Sequence, residues 1–162
     1  MATPNILMTR IDNRLVHGQV GVTWTSALGA NLLLIANDVA ATDLVQQSLM
    51  DMVIADGVQT RYFTLQKTID IIAKAASHQK IFIICKTPQD VLCLVKGGVP
   101  ITFVNIGNMH FTTGKKQIHK TVSVDDADIA AFNELIQLGV TCEVRRVPDE
   151  TGEMICDLLK RC

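Results

Sequence analysis

Lys80-Ile81-Phe82-Ile83-Ile84-Cys85-Lys86 is the stretch on which the fold turns. Five consecutive apolar residues between two lysines leave neither face polar, so the run reads as a strand covered on both sides. Directly after it, Thr87-Pro88 opens a helix, with threonine as N-cap and proline in the first turn, and Gly97-Gly98 closes it. A doubly covered strand followed by a helix is the building unit of a parallel sheet.

The same alternation extends in both directions. Upstream, strands are predicted over 5–9, 31–36 and 61–65, with Asn37-Asp38 closing the second. Helices fall between them at 19–28, stopped by Gly29, then at 43–55 and 68–76. In the 43–55 helix Val45, Leu49, Met52 and Val53 share one face, and Asp56-Gly57 ends it. Downstream, 103–106 is a strand, and an irregular connection from Lys116 leads to a short strand over 121–124. Asp125-Asp126-Ala127-Asp128 places acid at the positive end of a helix that runs to Gly139. A strand over 142–147 and a helix over 150–160 complete the series. The pattern predicts an α/β fold: an open, doubly wound, mostly parallel sheet of about seven strands with helices on both faces. No linker or low-complexity segment divides the chain, so residues 1–162 are expected to form a single domain. A closed barrel would need eight such units and about 250 residues.

Composition narrows the function. Hydrophobic residues make up 48% of the 162 and charged residues 19%, enough for a core; aromatics at 4% leave Ile, Leu, Val and Ala to fill it. A net charge of −1 gives no electrostatic footprint for nucleic acid. No apolar run approaches the ~18 residues of a membrane span, and the start lacks the order of a signal peptide, so a cytoplasmic protein is expected. Cys85, Cys93, Cys142, Cys156 and Cys162 form no CxxC pair and read as free thiols, several of them buried, with no metal site. Neither GxxxxGK[ST] nor GxGxxG occurs, and no cofactor is expected.

In open α/β sheets ligands bind beyond the carboxyl ends of strands, where the strand order reverses. That selects the loops after Met8, Ala36, Cys85 and Ile106. The first carries Arg10-Ile11-Asp12-Asn13-Arg14-Leu15-Val16-His17-Gly18-Gln19-Val20, two arginines, an aspartate and a histidine in one strand-to-helix connection. A histidine with the ordinary pKa near ~6.5 has a neutral ring nitrogen available for attack. His17 is therefore a candidate nucleophile for a phosphoryl group. Arg10 and Arg14 offer paired N–H donors to its oxygens, and Asp12 is placed to orient the ring or anchor an arginine. Gly18 and the following helix start add backbone N–H groups, an anion site. On residues alone, the same loop also reads as a solvated histidine among surface ion pairs.

The stretch from Arg10 to Val20 closely resembles the signature R-I-D-[DNE]-R-L-[IV]-H-G-Q-V of the IIB subunits of the mannose/sorbose-type phosphoenolpyruvate-dependent sugar phosphotransferase system. Further stretches support it: Asn37-Asp38, Gln46-Gln47, Phe63-Thr64-Leu65, Lys86-Thr87-Pro88, Gly97-Gly98 and Asn105-Ile106-Gly107-Asn108-Met109-His110. Asn13 stands where an acidic residue is more usual. The resemblance implies that His17 accepts phosphate on Nδ1 from a phosphorylated IIA protein and passes it to the 6-hydroxyl of a sugar bound in the membrane IIC/IID complex. It also implies a sheet with the first strand near its middle and one antiparallel edge, and a protein held at the inner face of the membrane through IIC/IID. Val22-Thr23-Trp24, Lys86-Thr87-Pro88 and the 107–110 loop look most like the N-acetylgalactosamine and galactosamine members, with mannose-, fructose- or sorbose-specific members as the alternative. A homo-oligomer is compatible with this reading.

Other residues carry weaker expectations. Thr87 is suited to bonding phosphate as well as capping its helix. Asn108 and His110 lie in an exit loop with a loop or docking role, and Trp24 is expected in the core or on a docking surface. Lys115, Lys116, His119 and Lys120 form a small basic patch, either solvated or facing acidic residues of IIA; His78 reads as plain surface. A non-catalytic anion-binding regulatory module is the competing class. A hydrolase using His17 as base lacks a second nucleophile or metal in the loop.

Overall fold

A computed structural model of the chain describes residues 3–160. Its strands are β1 (Asn5–Asp12), β2 (Leu32–Ala36), β3 (Gln59–Phe63), β4 (Lys80–Cys85), β5 (Phe103–Asn108), β6 (Lys116–His119), β7 (Val122–Val124), β8 (Thr141–Val144) and β9 (Glu153–Met154). Seven of them form one sheet in the order β3-β2-β4-β1-β5-β8-β9, while β6 and β7 make a separate antiparallel hairpin. All neighbours in the main sheet are parallel except β9, which runs antiparallel to β8 at the edge. The chain leaves β1 toward β2 and β3, returns through β4, and then crosses to β5 and β8. The order therefore reverses around β1, the central strand.

Side-chain alternation sorts the interior into two cores, one on each face. Leu32, Leu34, Ile81, Ile83, Cys85, Ile11, Val104 and Ile106 point to the face covered by α4 (Pro88–Lys96) and α5 (Asp126–Gln137). Leu33, Ile35, Phe82, Ile84 and Met8 point to the other, beneath a helix whose residues Gln19–Trp24 are π-wound and whose last turn is α1 (Thr25–Leu28). The run that decided the fold is buried on both sides, as its composition requires. Each large side chain there contributes roughly 1.5–3 kcal/mol.

Several boundaries differ from the sequence reading, each for a visible reason. β1 continues past residue 9 because Arg10 and Ile11 go on pairing with β4 and β5. Arg10 and Asp12 are thus strand residues, not loop residues. Thr64 accepts a hydrogen bond from the Lys67 amide at 3.0 Å and starts α3 (Leu65–Ile71) earlier than expected, which ends β3 at Phe63. The helix predicted over 43–55 is capped by Asp43 but closes as α2 (Leu44–Asp51), since the Ala55 amide turns away to bond Gly21. Its apolar face is turned outward, with Val45, Leu49 and Met52 all exposed. The strand expected over 121–124 belongs to the hairpin. The antiparallel edge comes instead from β9, inside the predicted 150–160 helix, where Glu153 and Met154 pair with Val144 and Glu143 before α6 (Ile155–Lys160) begins. Thr87 caps α4 through the Asp90 amide, and Asp125 and Asp128 form a reciprocal capping box at α5.

Candidate active site

Arg10 and Asp12 lie two residues apart on β1, so their side chains share one face of the sheet. Arg10 is in register with Asn105 of β5, and its Nη1 donates to the Asn105 side-chain oxygen at 2.5 Å. Nη1 also donates to the Arg145 carbonyl at 3.1 Å, and Nη2 to the Arg146 carbonyl at 3.2 Å. Nη2 reaches Asp12 at 3.3 Å. The guanidinium lies across Gly107, where a Cβ would overlap it, and 5.2 Å from the centre of the Trp24 ring. Trp24 in turn donates from Nε1 to the Arg146 carbonyl at 2.8 Å. Arg10 is fully buried, with both terminal nitrogens committed to protein.

Asp12 is the hub. One oxygen accepts from the Arg14 amide at 3.0 Å and from Arg14 Nε at 3.1 Å; the other accepts from Arg14 Nη2 at 3.1 Å and faces His17 Nε2 at 3.1 Å. Burial opposes the charged carboxylate, yet bonds from His17 and Arg14 and the Arg10 charge outweigh it and bring Asp12 down to about 2. Burial brings Arg10 down to about 10 against the pull of Asp12, so it remains a cation at neutral pH. An ionised carboxylate only accepts, so the proton of the neutral ring sits on Nε2 and the lone pair on Nδ1. His17 is 22% exposed and Arg14 48%, which leaves both within reach of an incoming group. Two guanidinium charges against one carboxylate give the cluster a net positive charge.

The turn that brings Arg14 and His17 back over Asp12 holds Leu15 in the left-handed region at φ 58°. That conformation costs a leucine roughly 1–2 kcal/mol, and burial of its side chain holds it there. The Leu15 amide donates to the Asp12 carbonyl at 2.9 Å. Beyond the turn, the Gly21 amide bonds the His17 carbonyl at 2.8 Å, so the histidine stands directly before the helix that begins at Gln19. Gly18 stands at its N-cap with φ −51° and ψ −42° and with open space where a Cβ would lie.

The other expected residues fall into two groups. Asn108 ends β5 and ties to the loop twice, through its side chain to Asn13 and its carbonyl to the Asn13 amide at 3.0 Å. Thr87 and His110 line a depression of about 140 Å³ with Asn13, Lys86 and Lys115, beside the loop, and no bond joins them to His17. Trp24 is 4% exposed and belongs to the core, which removes it from any docking surface. In the basic patch Lys115 pairs with Asp128 at 3.0 Å and His119 with Glu153 at 3.3 Å, while Lys116 and Lys120 face solvent with His78. Cys85 and Cys142 are buried, Cys93 and Cys156 are not, and all four are free; Cys162 lies outside the described residues. Among the described residues no group of three or more His, Cys, Asp or Glu could hold a metal ion, and no helix is long and apolar enough to cross a membrane.

The sequence reading gave no role to Asn105, to Gly107 or to the carbonyls of Arg145 and Arg146. A polar Asn and a small Gly inside an otherwise apolar strand were the available signal for the first two. Backbone carbonyls leave none.

The chain as a whole has known relatives. The family model for the PTS system sorbose subfamily IIB component matches residues 6–162. The chain is 58% identical over 156 residues to the N-acetylgalactosamine-specific phosphotransferase enzyme IIB component 2 of Escherichia coli, covering 96% of this chain and 99% of that one. The crystal structure of the E. coli N-acetylgalactosamine-specific IIB component 1 superposes with a TM-score of 0.88 at 56% identity, over 92% of this chain and 98% of that one. A Streptococcus pyogenes N-acetylgalactosamine IIB component superposes at 0.92 with 43% identity, over 97% and 99%. The arginine-clamped aspartate and its histidine are thus set in the fold of these proteins, and the chain belongs to the sorbose subfamily of IIB components of the sugar phosphotransferase system.

Proposed function

We propose that His17 is the phosphoryl carrier of this IIB component, with Nδ1 as the attacking atom. The observation that carries the reading is the 3.1 Å contact between His17 Nε2 and an Asp12 carboxylate that stays ionised far below neutral pH. Nδ1 attacks the phosphorus of a phosphohistidine on the donor IIA protein; the N–P bond to the donor breaks and the donor ring recovers its lone pair. Arg14 offers its remaining N–H groups to the phosphoryl oxygens as charge shifts toward His17. Gly18 and Thr87 are proposed as further phosphate contacts, while Arg10 acts through Asp12, being sealed from the oxygens by burial. A sugar hydroxyl oxygen then bonds the phosphorus, the Nδ1–P bond breaks with its electron pair returning to Nδ1, and the hydroxyl proton passes to solvent.

The acceptor is a sugar presented by the membrane IIC/IID complex, and the protein works on the cytoplasmic side as one IIB domain over residues 1–162. N-acetylgalactosamine is the sugar supported by the names of two relatives at 58% and 55% identity. The test is labelling: phosphorylated IIA is expected to place one acid-labile, alkali-stable phosphate on the wild-type protein and none on His17→Ala. Stoichiometric labelling of His17→Ala would overturn the assignment, and tight binding of free phosphate without a covalent adduct would favour the regulatory module.

A further inference from the structure

Between Leu15 and Thr60 the sequence contains no lysine or arginine, while Asp38, Asp43, Asp51 and Asp56 all fall there. That segment carries the most exposed apolar side chains of the structure. Val45, Leu49 and Met52, spaced four and three residues apart along α2, are 72%, 62% and 80% exposed, with Val39 and Leu44 exposed at its entry. A helix that turns its apolar stripe to solvent is unpartnered rather than misfolded, because Met50 on its opposite side is buried in the core.

Two observations say what covers it. The first is continuity with the active loop. The Ala55 amide bonds the Gly21 carbonyl at 3.1 Å, and Gly21 packs so closely on the Val53 carbonyl that a Cβ there would overlap it. The end of the stripe thus rests on the helix that follows His17. The second is charge. An apolar surface on a segment whose formally charged residues are all aspartates fits a partner that is apolar and basic. It disfavours a second copy, since a two-fold contact would set aspartates against aspartates. It equally disfavours an anionic lipid surface. Cytoplasmic segments of membrane proteins carry the excess of Lys and Arg that this segment lacks.

We propose that the α2 stripe is the seat for a basic, apolar cytoplasmic segment of the membrane partner, and that this contact delivers His17 to the sugar. The inference rests on the function proposed above but assigns a surface to one of its two partners.

The experiment compares wild type with V45Q/L49Q/M52Q, whose side chains are exposed and whose helix propensity is kept. Phosphorylated IIA should label His17 at the wild-type rate in both. With inverted membrane vesicles carrying the IIC/IID complex and N-acetylgalactosamine, the variant should need about 10–100-fold more protein for half-maximal transfer, with an unchanged plateau. Asp56→Lys should shift the same quantity in the same direction, less in high salt. Co-sedimentation of unphosphorylated protein with these vesicles reads docking without any transfer, so it decides the surface even if labelling refutes the carrier role. Unchanged half-saturation and sedimentation would overturn the proposal. So would a defect confined to labelling by IIA, wild-type binding to protein-free anionic vesicles, or dimerisation lost in the variant.

Discussion

Asp12 and Asp128 are both buried carboxylates held by several donors, yet only Asp12 has a histidine among them. Asp128 accepts from Gln89 at 2.9 Å, from Lys115 at 3.0 Å and from the Asp125 amide at 3.1 Å, tying α4, α5 and the loop before the hairpin together. Asp12 likewise gathers Arg10, Arg14 and His17. Burial opposes both charges and hydrogen bonding overcomes it in both, so both carboxyls sit below their ordinary range. The difference lies in the donors. Around Asp128 they are a side-chain amide, an ammonium and a backbone N–H, none of them a nucleophile in these bonds. Around Asp12 a ring nitrogen and half a guanidinium remain unspent and face the solvent side. A buried charge can support transfer only where a partner keeps a nucleophilic atom to spare, which is what the proposed role asks of His17.

That contrast is open to attack by mutation. Asp12→Asn should be the most damaging change. It removes the acceptor that fixes the His17 tautomer, and phosphoryl transfer is expected to fall roughly 10²–10⁴-fold in rapid-quench labelling. It also leaves Arg10 buried without a counter-charge, and chemical denaturation should register a loss of about 3–5 kcal/mol. Asp128→Asn should separate the two sites. Stability is expected to drop by about 1–3 kcal/mol while labelling of His17 keeps its wild-type rate; a matching loss of rate would mean that the sites are not independent.

Gly107→Ala sharpens the comparison from the other side, since it pushes a methyl into the Arg10 guanidinium without altering any charge. About 1–3 kcal/mol of stability should be lost, with slower transfer because Arg10 no longer supports Asp12 squarely. The smallest effect is in acid. Asp12 is depressed to about 2 in the folded state, so its contribution is complete above the unfolded value near ~3.9 and fades as the pH falls toward 2. Asp90, raised by burial, works against this trend. The melting temperature of the wild type should therefore decline more steeply below about pH 4 than that of Asp12→Asn.

Much of the architecture was legible because it rests on side-chain pattern. The 81–85 run announced a strand covered twice, Thr87-Pro88 and Asp125 announced helix starts, and the loop motif grouped the side chains that meet at Asp12. What escaped has no letter of its own. The two-residue β9 is a strand only because the edge of β8 is there to pair with it. The carbonyls that hold Arg10 belong to residues whose side chains point elsewhere, Arg145 to Glu143 and Arg146 to Glu150. In α2 the spacing of Val45, Leu49 and Met52 revealed a common face but not that the face looks outward, since periodicity records a stripe and not what lies against it.

The bonds from Arg10 to the carbonyls of Arg145 and Arg146 span almost the whole chain. A ribosome therefore exposes the histidine loop long before the residues that complete its scaffold have emerged. Until that late segment docks, the aspartate lacks its anchored arginine and the imidazole has no fixed orientation. For the proposed carrier role this makes residues 145 and 146 as necessary as the loop itself, and a copy cut short before them is expected to accept phosphate slowly.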